Sequence, residues 1–149
     1  LEKARAWSEF SGMPCLADDS GLCVDALGGA PGVFSARFAG EPPDDRRNNE
    51  KLLRLLENVP DSGRQARFVC CIALHLPGQA EITFDGEARG TILREPRGSN
   101  GFGYDPLFLY PPLGLSFAEL DREIKNSVSH RAQALAKMKK WITEHPDLK

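Results

Sequence analysis

The sequence predicts an α/β protein, a sheet with helices packed on it, and three features carry that expectation. Residues 67–76 form a continuous apolar run of strand type, as a central strand does. Further strand-type segments stand on both sides of it, at 16–26 before it and at 82–84, 88–93 and 107–110 after it. Two other stretches, 44–57 and 127–142, bring their apolar residues round at steps of three and four, the period of an amphipathic helix.

The chain has 149 residues, 41% of them hydrophobic, enough for one well-buried core and too few for two ordinary domains. Its 19 basic and 21 acidic residues leave a formal charge of -2, so no overall basic field points to a nucleic-acid polymer or an anionic membrane. An anionic ligand has to be held locally. Cys15, Cys23, Cys70 and Cys71 form no Cys-x-x-Cys pair and have no histidines at zinc-finger spacing, so they read as small buried hydrophobes in a reducing compartment. No apolar run approaches the ~18 residues of a membrane span, and the start does not resemble a signal peptide. These features suggest a cytoplasmic protein.

Residues 1–11 read as the tail of a helix, with Ala4, Trp7 and Phe10 at three-residue steps and Gly12 and Pro14 as stop signals. Neither a methionine nor an N-cap precedes Leu1, so the chain is expected to begin inside an element, with sequence upstream of it. The run Leu16-Ala17-Asp18-Asp19-Ser20-Gly21-Leu22 reads as the end of a buried strand delivering acids into a pocket. Gly21 would let the chain turn or approach a ligand before a second strand at 22–26. Neighbouring carboxylates raise each other's pKa unless a cation sits beside them, so a divalent ion or a proton-accepting role is expected. The plain alternative is a solvated turn in which Asp18 and Ser20 cap backbone groups.

Gly28 to Gly32 form a tight loop with no Gly-Lys-Ser/Thr after it, hence a structural loop rather than a phosphate loop. Asp44 or Asp45 can cap the helix to about residue 57, whose apolar side is Leu52, Leu53, Leu55 and Leu56 and which Pro60 ends. Asp85-Gly86 is a type I′ hairpin signal between 82–84 and 88–93. Residues 97–106 form a glycine-rich loop with two aromatics and an acid. Ser116 to Glu119 is a capping box for a helix to about 124, with Lys125 at its end. The last helix starts at Ser127 or Ser129 and turns Val128, Ala132, Leu135, Met138 and Ile142 to the core. His130 and Arg131 fall off that stripe in the first turn, where the helix dipole disfavours cations. A ligand or an acidic neighbour would explain them, and a surface pair is the alternative.

A carboxylate pair, Lys3, Lys125, Arg131 and exposed aromatics suit a nucleotide whose phosphates sit on a divalent metal: carboxylates hold Mg²⁺, lysines offset phosphate charge and an aromatic stacks on the base. Arginine's paired donors match the O6 and N7 acceptors of a 6-oxopurine, where adenine offers a donor at position 6.

The runs LADDSGLCVDALGGAPGVFSARFAG, GFGYDPLF and KNSVSHRAQAL, in this order, resemble the inosine triphosphate pyrophosphatase family, the XTP/dITP diphosphatases, over residues 1 to about 141. The resemblance implies a two-lobed α/β fold with a long, twisted mixed sheet flanked by helices, a single domain over 1–149, and usually a homodimer. It implies Mg²⁺-dependent cleavage of ITP, dITP and XTP between the α and β phosphates, which cleanses the nucleotide pool. Matched motif by motif, Asp19 is the implied proton acceptor and metal carboxylate, and Asp18 a second metal candidate. Ser20 is implied to touch substrate, Lys3 to face phosphate, and Phe102, Gly103, Tyr104 and Asp105 to form the nucleoside loop, with Phe102 as stacking face. Lys125 is implied to bind substrate, and His130 with Arg131 to read the purine. The family's N-terminal strand, its Thr/Ser-x-x-Asn-x-x-Lys loop and an acidic metal residue have no counterpart in the sequence. A non-catalytic nucleotide-binding module is therefore the alternative expectation.

Overall fold

The computed structural model of the protein describes residues 2–79 and 81–146, with side chains from Ala4 onward. Its five strands make one antiparallel sheet in sequence order: β1 (Cys15–Val24), β2 (Gln65–His75), β3 (Ile82–Ile92), β4 (Phe108–Tyr110) and β5 (Leu115–Ser116). The helices are α1 (Glu2–Ser11), α2 (Asp45–Leu55), α3 (Arg122–Val128) and α4 (His130–Glu144). The expected α/β fold is present. No described helix is long and apolar enough to cross a membrane.

The register decides where the polar residues of β1 point. Asp18 stands opposite Ile72, Ser20 opposite Cys70 and Asp19 opposite Cys71, which in turn faces Asp85 on β3. Side chains alternate along a strand and directly opposed residues share a face. Asp18 and Ser20 therefore lie on the face that α4 covers, and Asp19, Cys71 and Asp85 on the other. On the α4 side, Cys70, Ile72, Leu74 and Phe84 pack round Ala134, with Met138 and Trp141 against them. A second cluster joins Leu22, Val24, Leu52, Leu56, Phe68, Phe108 and Phe117. Phe68 stacks on Phe117 at 5.8 Å and tilts against Phe108 at 4.6 Å, and each such buried ring contributes about 1.5–3 kcal/mol relative to exposure. Arg64, fully buried, ties the end of α2 to the end of β3 by donating to the carbonyls of Leu56, Ile92 and Leu93.

Several local expectations give way to packing. The acidic run is not a strand end: β1 continues through Gly21 to Val24 as one strand. A Cβ on Gly21 would overlap the Gly32 carbonyl oxygen, so the glycine admits the 3-10 segment Gly32–Arg37, where Ser35 Oγ accepts a bond from the Leu22 N–H at 2.9 Å. Asp85-Gly86 is no hairpin either. β3 runs straight through it, and the chain reverses between His75 and Ile82. Gly86 instead lets α4 press on the strand, since a Cβ there would overlap the His130 carbonyl oxygen and stand 2.8 Å from the Ala134 nitrogen.

The capping box is only half formed. Glu119 accepts from the Ser116 N–H at 2.7 Å, but the Ser116 hydroxyl donates to the Arg97 carbonyl, and the helix begins only at Arg122, after Asp121. The core stripe of α4 is also rotated from the expected one. Leu135 and Ile142 remain 45% and 43% exposed, and the buried side runs through His130, Ala134, Met138 and Trp141. The close crossing at Gly86 demands alanine rather than leucine at the contact, and it turns His130 inward. Trp7 and Phe10 of α1 and Leu55 of α2 are likewise exposed.

Candidate active site

The α3–α4 junction places the basic residues of the sequence motif. Ser129 caps α4 by accepting from the Ala132 N–H at 3.2 Å, which sets His130 and Arg131 in the first turn above β1 and β2. Arg131 Nε donates to Asp18 Oδ2 at 2.6 Å. The acidic neighbour that a cation at a helix N-terminus calls for is thus Asp18. His130 stacks on Phe68 at 4.9 Å with ring planes 12° apart, and its buried Nδ1 has no described partner. Burial, with Arg131 and Lys125 nearby, lowers its pKa to about 4, so the ring is neutral at pH 7. Lys125 of α3 donates to the buried Asp105 carboxylate and lies over the Phe102 ring, 4.6 Å from its centroid.

The glycine-rich loop is held from two directions. Asp105 Oδ2 accepts from the Phe102 N–H at 2.9 Å, and the Tyr104 hydroxyl donates to the Ser35 carbonyl at 2.7 Å. Burial raises the Tyr104 pKa, which keeps the hydroxyl a donor. From α2, Asp45 Oδ2 accepts from the Gly103 N–H at 2.8 Å and Asn49 Nδ2 donates to the Gly103 carbonyl at 2.9 Å. Phe102 is left 65% exposed, with a free ring face at the mouth of the site. Asp45 is expected from the sequence only as a possible helix cap, and neither Asn49 nor Ser35 is expected at the loop at all. The available signal was two polar residues at an i,i+4 spacing on one helix face.

These side chains line two connected spaces. An open cleft of about 820 Å³ runs between the loop and the α3–α4 junction, and an inner cavity of about 160 Å³ continues from it to Ser20, Leu22 and Tyr104. Phe102, Lys125, His130 and Arg131 border both, and the Ser20 hydroxyl at the inner wall is buried without a described partner. Gly103, Tyr104 and Asp105 line the inner cavity. On the opposite sheet face, Asp19 lines a trough of about 500 Å³ with Cys71 and Asp85, and this trough meets the inner cavity at Ser20 and Gly21. Burial and the adjoining Asp85 push the Cys71 thiol up to about 11, so it is no nucleophile at neutral pH. The structure thus gathers Ser20, Phe102, Gly103, Tyr104, Asp105, Lys125, His130 and Arg131, and separates Asp19 from Asp18 by the thickness of a strand. The Lys3 side chain lies outside the described residues.

An exposed phenyl ring, a lysine, a neutral imidazole and an arginine around one cleft, with a carboxylate beyond a strand, make a site of the type that suits a nucleotide. The chain belongs to the Ham1 family, whose profile matches residues 1–141. It is 60% identical over 137 residues to a dITP/XTP pyrophosphatase of Desulforamulus reducens, covering 92% of this chain and 68% of that protein. With one from Geobacter sulfurreducens it shares 55% identity over 139 residues, 93% of this chain and 70% of the relative. Among solved structures it superposes on the Staphylococcus aureus Ham1 protein with a TM-score of 0.93 at 40% identity, over 96% of this chain and 73% of that one. A HAM1 protein from Coxiella burnetii gives 0.91 at 48% identity, over 96% and 74%.

Proposed function

We propose that this chain is a dITP/XTP pyrophosphatase domain that hydrolyses deaminated purine nucleoside triphosphates to monophosphate and pyrophosphate and so clears them from the nucleotide pool. The observation that carries this reading is the convergence of Phe102, Lys125, His130 and Arg131 on one cleft whose inner wall holds an orphan Ser20 hydroxyl. The base stacks on Phe102, and the Nη donors of Arg131 meet O6 and N7, where adenine would present its amino group. Lys125 and the neutral His130 complete the pocket wall without adding a second mobile cation beside the base. Because β1 is an edge strand of the described sheet, the phosphates pass over its edge from the base cleft to the Asp19 side. There Asp19 takes a proton from water as the water oxygen bonds to the α-phosphorus. The bond from that phosphorus to the bridging oxygen breaks, and pyrophosphate leaves with the electron pair.

Among the described residues no group of three His, Cys, Asp or Glu side chains is arranged to hold a metal. The exposed carboxylate of Asp19 would hold a Mg²⁺ ion, a hard cation that prefers oxygen ligands and commonly needs only one or two carboxylates from the protein. When bound there, Mg²⁺ offsets the charge that builds on the phosphate oxygens. The family reading adds a homodimer and a cytoplasmic setting, and Val33 at the trough and the next residue, Phe34, both exposed, offer an apolar surface for a subunit contact. The test is a panel of ITP, dITP, XTP, ATP and GTP with Mg²⁺, with products resolved by chromatography. Monophosphate and pyrophosphate from the first three, in clear preference to the last two, are expected. Release of orthophosphate, or equal turnover of ATP, would contradict the reading.

A further inference from the structure

Asp18 and Asp19 are neighbours in sequence, yet only one of them faces the trough. Asp18 is on the α4 face of β1, opposite Ile72, where its Oδ2 accepts from Arg131 Nε at 2.6 Å. A guanidinium has five N–H donors in a rigid plane, and this bond uses one of them. Bound through Nε, the plane is fixed and both Nη groups remain at its far end, the fork that bidentate recognition of O6 and N7 requires. Arg131 borders both the cleft and the inner cavity, and its one described side-chain bond, through Nε, leaves the Nη groups for a ligand there. Without Asp18 the long side chain would sample several rotamers from the first turn of a helix whose dipole repels it. An aspartate with one oxygen committed to an arginine, and turned away from Asp19 by strand alternation, is poorly placed to share an ion with Asp19.

We infer that Asp18 is a positioning residue for base selectivity: it orients the Arg131 guanidinium toward the purine edge and is not a ligand of the catalytic ion. This rests on the proposed nucleotide reading of the same cleft. The experiment compares wild type, Asp18→Asn, Asp18→Glu, Arg131→Ala and the Asp18→Asn/Arg131→Ala double variant. Three quantities are read: the ITP-to-ATP ratio of kcat/KM, the Mg²⁺ concentration for half activation, and the metal-free affinities for IMP and AMP by calorimetry in EDTA. Asp18→Asn, an isosteric change on a half-exposed pair, should lower the ITP-to-ATP ratio and the IMP-to-AMP affinity ratio by about tenfold, with half activation by Mg²⁺ unchanged. Asp18→Glu should recover part of that loss, and Asp18→Asn should change neither ratio once Arg131 is alanine. A raised Mg²⁺ requirement with both ratios intact would overturn the inference and make Asp18 a metal ligand. An equal effect of Asp18→Asn with and without Arg131 would overturn it as well. A wild-type protein that treats ITP and ATP alike overturns the functional reading, and the inference with it.

Discussion

Gly86 of β3 lies directly beneath the His130 carbonyl at the start of α4, so close that a side chain on the glycine would occupy the carbonyl oxygen's place. This crossing sets the height of His130 and Arg131 above the sheet and hence the shape of the cleft. Gly86→Ala has no flexible side-chain end to displace, because backbone atoms meet the new methyl. It should lift the N-terminus of α4, cost about 1–3 kcal/mol of stability, and weaken IMP binding. Urea unfolding together with calorimetric titration checks both effects. Wild-type stability with wild-type affinity would show that α4 can move without cost.

His130 gives stability a defined pH dependence. Its folded-state pKa of about 4 is below the ordinary 6.5 because burial and the cations Arg131 and Lys125 disfavour the imidazolium. Between those values the unfolded chain binds a proton that the folded chain does not, so stability rises with pH through the window and is lost as pH falls through it. The slope from this group approaches about 1.4 kcal/mol per pH unit. Denaturation series at pH 4.5, 5.5 and 7 should show this slope in wild type and a shallower one in His130→Gln. Parallel curves for the two proteins would contradict the assignment.

What the sequence disclosed and what it withheld divide along one line. Features set by local chemistry were legible: Ser129, one of the two serines expected, as the cap of α4, the exposure of Phe102 on its glycine-rich loop, and the need of Arg131 for an acidic neighbour. Residues whose role depends on a distant approach were not. Asp85-Gly86 carries a turn signal, and only the pressure of α4 explains why it lies in mid-strand. The inward stripe of α4 follows Ala134 rather than its leucines for the same reason, and Asp18 and Asp19, side by side in the chain, are parted by strand alternation.

Asp45 tests the grip of α2 on the loop. Its carboxylate accepts from the Gly103 N–H, whereas the side chain itself is exposed. Asp45→Ala should therefore leave stability within about 1 kcal/mol and raise KM for ITP several-fold with little change in kcat, since a looser loop binds less well before any chemistry occurs. A fall in kcat at constant KM would instead place Asp45 in the reaction.

Asp19→Asn removes the proposed proton acceptor and a charge with almost no change in volume. Turnover of ITP should fall by about 10²–10⁴-fold, while IMP affinity stays within a few-fold of wild type because Asp19 lies across β1 from the base cleft. Near-normal turnover would remove Asp19 from the proton-accepting role.

The claim that the α3–α4 cleft reads a 6-oxopurine through Arg131 is tested most directly by kcat/KM for ITP and for ATP, measured side by side in wild type and in Arg131→Ala. Wild type should prefer ITP strongly. The variant should lose about 1–3 kcal/mol of that preference, the worth of a bidentate base contact, chiefly through a lower value for ITP. An equal fall for both nucleotides would make Arg131 a phosphate-binding or structural residue and contradict the claim.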